Sequence, residues 1–83
     1  MRLTEIQEEL KRRKIKVDYV EEDGCASIDF IWRGLGYHIW EFLDDDGTRG
    51  CETNVFTTGK TVELMDDYAD TILAELKRWP MME

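Results

Sequence analysis

Residues 25–43, CASIDFIWRGLGYHIWEFL, hold the clearest structural pattern in this 83-residue chain. Apolar side chains recur at every second position from Ala26 to Trp32, and a second apolar run follows from Tyr37 to Leu43. A period of two is typical of β-strands, and a short glycine-containing connection is typical of an antiparallel hairpin. The stretch therefore predicts two antiparallel strands joined through Gly34-Leu35-Gly36.

The register of this hairpin determines which side chains share a face of the sheet. With Gly34, Leu35 and Gly36 all in the loop, Arg33 lies opposite Tyr37. This register predicts an aromatic face beneath the helices, formed by Ile28, Phe30, Trp32, His38, Trp40 and Phe42. It predicts an uncovered face that forms the candidate partner interface, with Ile31, Tyr37, Ile39, Leu43 and, from a later strand, Phe56. Asp29, Arg33 and Glu41 lie beside them, and a slip of one residue would exchange the two faces.

A helix and a strand precede the hairpin. Apolar residues recur at helical spacing after Thr4-Glu5-Ile6-Gln7, which fits a capping box, so a helix is predicted over residues 4–13. Residues 15–19 then alternate with a period of two. The turn residues Glu21-Glu22-Asp23-Gly24 end this predicted first strand.

A strand and a helix follow the hairpin. Residues 51–57 predict a fourth strand, and the spacing becomes helical from Val62 onward. The apolar stripe of this second helix comprises Met65, Tyr68, Ala69, Ile72, Leu76 and Trp79. Pro80 ends the helix, because the residue before a proline disfavours the helical conformation.

These elements predict one α+β domain over residues 1–83, in the order α-β-β-β-β-α. Short connections between consecutive strands favour an antiparallel four-stranded meander, because parallel pairs need a long crossover. Two helices and one sheet most simply form a two-layer sandwich. The N-terminal and C-terminal helices are therefore predicted to pack on one face of the sheet.

Charge is unevenly distributed along the chain. The sequence has 19 acidic and 11 basic residues, which gives a formal net charge of −8. The segment Lys11-Arg12-Arg13-Lys14-Ile15-Lys16 is a candidate nucleic-acid patch, but the acidic remainder repels phosphate and disfavours that partner. The candidate acidic contact surface, which favours a basic partner, comprises Asp44, Asp45, Asp46, Glu63, Asp66, Asp67 and Asp70.

Two short motifs contain part of a ligand-binding loop. Thr57-Thr58-Gly59-Lys60-Thr61 has the end of a phosphate-binding loop, yet Asn54 stands where that loop needs a glycine. Asp44-Asp45-Asp46-Gly47 has the centre of a calcium loop, yet Phe42 and Thr53 stand at its two end positions, so two required ligands are missing. The first segment is therefore predicted to break the strand at Gly59 and to cap the following helix at or near Thr61, the second is predicted to be a solvated turn, and no cofactor is expected.

The single histidine and the two cysteines do not form a catalytic or metal-binding pattern. Cys25 and Cys51 each open a predicted strand, while His38 begins an antiparallel neighbour and lies nearer their far ends. Zinc is disfavoured because the sequence has no C-x-x-C spacing and offers only three such ligands. No pair of carboxylates stands out as acid and base. The chain is therefore predicted to be no enzyme, to hold no metal and to keep two reduced thiols.

Hydropathy gives no indication of a membrane-bound or secreted protein. No apolar run approaches the ~20 residues that a membrane span needs. Residues 1–5 do not begin the apolar core of a signal peptide. A cytoplasmic location without membrane contact is the prediction.

The order of elements resembles that of known small folds. It partly resembles the double-stranded-RNA-binding domain, an α-β-β-β-α module with several lysines at the start of its second helix. Here Lys60 stands alone, and Glu63, Asp66 and Asp67 follow it. The order also loosely resembles secretion-chaperone folds and small acidic phage inhibitors, including anti-CRISPR proteins that mimic the charge of DNA. These resemblances concern the element order alone.

The function class that the sequence favours is a non-enzymatic module that binds or regulates another protein. Its two positive indications are the acidic surface and the apolar residues of the predicted uncovered face. The first alternative is a homodimer through that same face, so the partner is another protein or a second copy. A further alternative is an acidic inhibitor that mimics nucleic acid, of the phage-inhibitor type.

Overall fold

A five-stranded antiparallel sheet lies between an N-terminal and a C-terminal helix in the sequence. The computed structural model describes residues 1–57 and 59–80. In chain order the elements are α1 (Thr4–Arg12), β1 (Val17–Glu22), β2 (Cys25–Trp32), β3 (Leu35–Leu43), β4 (Arg49–Thr57), β5 (Lys60–Leu64) and α2 (Tyr68–Arg78). The strands lie side by side in sequence order, as in a meander. The predicted α+β fold is confirmed, with one strand more than predicted.

A two-residue turn joins β2 to β3, where the sequence analysis placed a three-residue loop. Trp32 pairs with Leu35, and the turn between them consists of Arg33 and Gly34, with φ of 55° and 78°. Two-residue turns with positive φ at both positions match the twist of the flanking strands, which is why they predominate in hairpins. The predicted pairing of Arg33 with Tyr37 is therefore wrong, and Leu35 and Gly36 belong to β3.

The shorter turn exchanges the two faces of β3. Phe30 pairs with Tyr37, so Tyr37 and Ile39 face the helices. Tyr37 is 7% exposed and Ile39 is fully buried, contrary to the prediction that both lie on the uncovered face. His38, Trp40 and Phe42 were predicted to lie beneath the helices. That prediction is wrong for the same reason, because these residues lie on the uncovered side.

Both helices pack on the same face of the sheet and close one hydrophobic core, as predicted. The core comprises Ile6 and Leu10 from α1, Ile72 and Leu76 from α2, and Ile28, Phe30, Trp32, Tyr37, Ile39, Cys51 and Val55 from the strands. Trp79, directly after α2, closes one end of this core. Its ring stacks on Trp32 with centroids 4.3 Å apart and lies 4.9 Å from the Tyr37 ring.

The segment between β4 and α2 forms β5, where the sequence predicted the start of a helix. β5 pairs antiparallel with β4, and Gly59 in their connection has a φ of 77°, which glycine adopts without a steric penalty. The second helix starts only at Tyr68, so Met65 precedes it. Ala69 is exposed and does not belong to the apolar stripe.

The predictions for the two helix ends have opposite outcomes. Leu3 is the N-cap of α1, with a φ of 54°, and its side chain cannot cap the helix. The capping box is therefore wrong, and the Gln7 side chain instead donates to the Arg2 carbonyl at 2.8 Å. The end of α2 before Pro80 is confirmed, because Trp79 is extended with φ −66° and ψ 139°.

Candidate protein-binding face

One side of the sheet packs against the helices, and neither helix covers the other side, which we call the outer face. The strand register, read outward from the core residues, determines its members. They are Asp18, Val20, Glu22, Cys25, Ser27, Asp29, Ile31, Gly36, His38, Trp40, Phe42, Gly50, Glu52, Asn54, Thr61 and Glu63, with Lys16 and Met65 at the edges of the face. This face therefore exposes both acidic and aromatic side chains.

The outer face is acidic: of the residues just named, five are Asp or Glu, and Lys16 at the edge is basic. Asp18 lies directly opposite Asp29 on neighbouring strands, and Glu52 lies directly opposite Glu63. Cross-strand pairs of this kind contribute roughly 0.2–1 kcal/mol, and like charges directly opposite each other destabilise the sheet. The fold thus retains two repulsive pairs on one face.

Trp40 lies between the two acidic pairs. Ser27 and Glu52 flank it on neighbouring strands, and its indole Nε1 lies 3.2 Å from both carboxylate oxygens of Asp29. The His38 ring lies against the indole, with centroids 4.3 Å apart. Trp40 is still 40% exposed, although tryptophan is mostly buried in folded proteins. An oriented aromatic ring is therefore presented at the centre of an acidic surface.

Apolar side chains complete the outer face. Val20 is 56% exposed and Ile31 is 71% exposed. Elsewhere on the face, Phe42 and Met65 pack closely over Gly50, where an added Cβ would lie 2.7 Å from the Phe42 ring and 2.6 Å from the Met65 sulfur. Glycine at position 50 therefore preserves that packing. Exposed apolar and acidic groups are interleaved across the rest of the face.

The five residues of the predicted apolar interface do not come together. Ile31 lies on the outer face as predicted, but Tyr37 and Ile39 are core residues. Leu43 is 48% exposed at the end of β3, and Phe56 is partly buried against the core. The change of register removes the two central residues of the patch, and the predicted surface does not form.

The residues of the predicted acidic contact surface are exposed but lie in three separate places. Asp44–Asp46 occupy the connection between β3 and β4, Glu63 lies on the outer face, and the acidic residues 66, 67 and 70 lie around the start of α2. The sequence did not predict that Asp18, Glu22 and Glu52 belong to a candidate binding surface. Each of them is an acidic residue at an outward position of a strand, and the outward positions can be identified only when the register is known.

The motif at residues 44–47 lies in a turn. The Gly47 backbone N–H donates to the Asp44 carbonyl at 2.9 Å, and the Thr48 N–H donates to the Asp46 carboxylate at 2.9 Å. In residues 1–57 and 59–80, no group of three His, Cys, Asp or Glu side chains could hold a metal ion.

In the motif resembling a phosphate loop, Thr57 ends β4 and Lys60 and Thr61 begin β5, so the predicted helix cap at or near Thr61 is wrong. Its residue Thr58 lies outside the described residues.

Two arginines of the predicted basic cluster contact groups within the fold. Arg12 and Arg13 both bond the carboxylate of Glu9, at 2.6 Å and 2.8 Å. The buried guanidinium of Arg13 also donates to the Trp79 carbonyl at 2.9 Å, which satisfies an acceptor at the end of α2. The cluster therefore joins the two helices, and its exposed members are Lys11, Arg12, Lys14 and Lys16.

A buried carboxylate fastens the N-terminal segment to the sheet and to α2. The side chain of Glu41 is fully buried and accepts hydrogen bonds from the Arg2 guanidinium, the Tyr68 hydroxyl and the Ala26 backbone N–H. Burial opposes the charge, but these hydrogen bonds outweigh it and lower the pKa of Glu41. Burial and the bond to Glu41 raise the pKa of Tyr68 to about 12. These groups satisfy one another's hydrogen bonds at the wall of a hollow of about 520 Å³.

The two cysteines are free thiols on opposite sides of the sheet. Cys25 lies on the outer face, opposite Glu22, and Cys51 lies in the core. Burial, together with the nearby charge of Glu41, raises the pKa of the Cys51 thiol to about 12. This thiol stays protonated at neutral pH and is a poor nucleophile.

Comparison of the chain with protein-family models, with curated proteins and with solved structures found no match. Among the described helices, none is both long and apolar enough to cross a membrane.

Proposed function

We propose that this chain is a non-enzymatic binding module whose outer face binds a cationic segment of another protein. The observation that carries the proposal is the presence of two like-charge pairs, Asp18–Asp29 and Glu52–Glu63, on either side of the exposed Trp40. A sheet that served only as a scaffold would gain stability from Lys or Arg opposite one acid of each pair. A partner that supplies those cations relieves both repulsions at once.

Arginine and lysine side chains match this face in charge and in chemistry. Hydrogen bonds to charged groups contribute about 1.5–3 kcal/mol when the geometry is good. A cation over the ring of Trp40 adds about 0.5–1 kcal/mol at an exposed site. The aliphatic stems of the same side chains can cover Val20 and Ile31. A basic segment therefore meets every kind of group that the face exposes.

The same charges disfavour the other partners. A second copy would bring an equal set of carboxylates against the face, and the apolar patch that favoured a homodimer lacks Tyr37 and Ile39. Nucleic acid would meet the same repulsion. If the cationic partner is a nucleic-acid-binding protein, the chain acts as an acidic inhibitor that mimics nucleic acid. We place the module in the cytoplasm, where free thiols persist.

Binding of a fluorescein-labelled octa-arginine peptide, followed by fluorescence anisotropy at low salt, tests the proposal. The test variant, Asp18→Asn with Glu63→Gln, removes one acid from each repulsive pair. The matched control, Glu5→Gln with Glu8→Gln, removes two exposed carboxylates from α1 on the other side of the molecule. Both variants change the net charge by the same amount, so their difference reports the location of the charges.

The wild type is expected to bind octa-arginine, with an affinity that falls steeply as salt rises. The outer-face variant should weaken binding about tenfold or more, and the control variant should weaken it much less. Trp40→Ala should weaken binding about threefold. Absence of binding by the wild type at low salt, or equal losses in the two charge variants, would overturn the proposal.

A further inference from the structure

A hollow of about 500 Å³ opens on the outer face. Three of its residues, Asp18, Asp29 and His38, are direct neighbours on three adjacent strands. Next to them, Ile31 lies opposite Gly36. The hollow thus has two carboxylates, an imidazole ring and an apolar end, all within the face proposed above as the binding surface.

Gly36 keeps this hollow open. Glycine inside a strand weakens the strand, and it often marks a place where another group approaches the backbone. Unlike Gly34, Gly36 does not have a positive φ, and an added Cβ would meet no heavy atom within 4 Å. Neither the backbone conformation nor the packing of the described residues requires glycine here. The missing side chain leaves room in front of Ile31.

The two carboxylates are open to a partner. Trp40 Nε1 lies 3.2 Å from each oxygen of Asp29 and holds that group in place. Lys16 lines the rim of the hollow, but among the described residues it forms no ion pair within 4.0 Å. In the described part of the chain, Asp18 and Asp29 therefore face each other with no Lys or Arg in an ion pair with either of them.

We infer that this hollow receives the guanidinium of one arginine of the cationic partner, an inference that rests on the proposed function. A guanidinium is planar and carries five N–H donors, so it can bond Asp18 and Asp29 together while its plane lies against a ring. His38, whose ring is tilted by 31° against that of Trp40, supplies that ring. A lysine ammonium is a compact point charge without such a plane. The hollow therefore discriminates arginine from lysine.

A comparison of octa-arginine with octa-lysine on three proteins tests this inference. The proteins are the wild type, Gly36→Leu, which fills the hollow, and Ala74→Leu, which adds similar bulk at an exposed position of α2. The wild type should bind octa-arginine about tenfold more tightly than octa-lysine. Gly36→Leu should lose this preference and keep the wild-type affinity for octa-lysine, and Ala74→Leu should behave as the wild type does.

The outcomes separate the inference from the proposed function. The arginine site is wrong if the wild type binds octa-lysine as tightly as octa-arginine, or if Gly36→Leu still prefers octa-arginine. In either case the proposal that the outer face binds a cationic segment stands. If neither peptide binds the wild type, the proposed function fails and the inference fails with it. Circular dichroism and thermal unfolding check that Gly36→Leu is folded.

A second measurement uses only the wild type, and it tests the arginine site even if Gly36→Leu does not fold. Nα-acetylarginine amide is titrated into the ¹⁵N-labelled protein, with Nα-acetyllysine amide as the matched probe. The arginine probe should produce saturable shifts at the backbone amides of Asp29, Gly36 and His38. Shifts confined to other parts of the molecule, or equal shifts with the lysine probe, would contradict an arginine site.

Discussion

Glu41 is a single buried charge on which three parts of the chain depend. It lies on the covered side of β3 and accepts hydrogen bonds from Arg2, Tyr68 and the Ala26 N–H. The Arg2 side chain is 33% exposed, so the pair is only partly desolvated, which weakens its attraction and also lowers the cost of removing its charges from water. Removing one partner would still leave buried groups unsatisfied.

We expect Glu41→Gln to lower the free energy of unfolding at pH 7 by about 2 kcal/mol. The amide cannot accept from all three donors as the carboxylate does, and it leaves the Arg2 charge without its partner. Urea unfolding followed by circular dichroism measures the change. Glu5→Gln, at an exposed position of α1, is the control and should change the stability by less than about 0.5 kcal/mol.

The same comparison at two pH values tests the direction of the pKa shift. Folding lowers the pKa of Glu41, so its stabilisation is fully present above the unfolded-state pKa of about 4.3. This stabilisation is lost as the pH falls through the lower folded-state pKa. The difference between wild type and Glu41→Gln should therefore be full at neutral pH and should shrink near pH 3. A difference that does not change with pH would contradict the lowered pKa.

At the scale of the elements, removing one charge from the β1–β2 pair should have opposite effects on the stability of the fold and on the affinity for a cationic peptide. Asp18→Asn removes the repulsion with Asp29 and should raise the free energy of unfolding by about 0.5 kcal/mol, while it weakens binding of octa-arginine. Glu22→Gln is the matched control, because Glu22 lies on the same strand opposite the uncharged Cys25. Equal stabilisation in both variants would mean that overall charge, and not the local pair, is responsible.

At the scale of the whole molecule, salt should also act in opposite directions on folding and on binding. The net charge of −8 repels itself in the folded state, and salt screens that repulsion. Raising sodium chloride from roughly 0.05 M to roughly 0.5 M should increase the melting temperature by about 2–5 °C and reduce the affinity for octa-arginine. A melting temperature that falls with salt would show that attractive surface pairs outweigh the repulsion.

The types of most elements follow from local sequence patterns. Alternation from Ala26 to Trp32 predicted β2, and helical spacing with a stop before Pro80 predicted α2. These signals are local because periodicity and the proline clash act within a few residues. β5 was missed because Val62 and Met65 are three residues apart, a spacing that also fits a helix. Only pairing with β4 distinguishes the two possibilities.

The register of β3, and with it the candidate site, was decided by the tertiary structure. Both alternate sets of residues in β3 are largely apolar, with Tyr37 and Ile39 in one and His38, Trp40 and Phe42 in the other, so the local pattern does not select a covered face. The Arg33–Gly34 turn and the packing of Tyr37 against Phe30 and Trp79 select it. Burial depends on residues far apart in the chain, and for that reason the sequence predicted the strand while the fold determined which of its faces meets a partner.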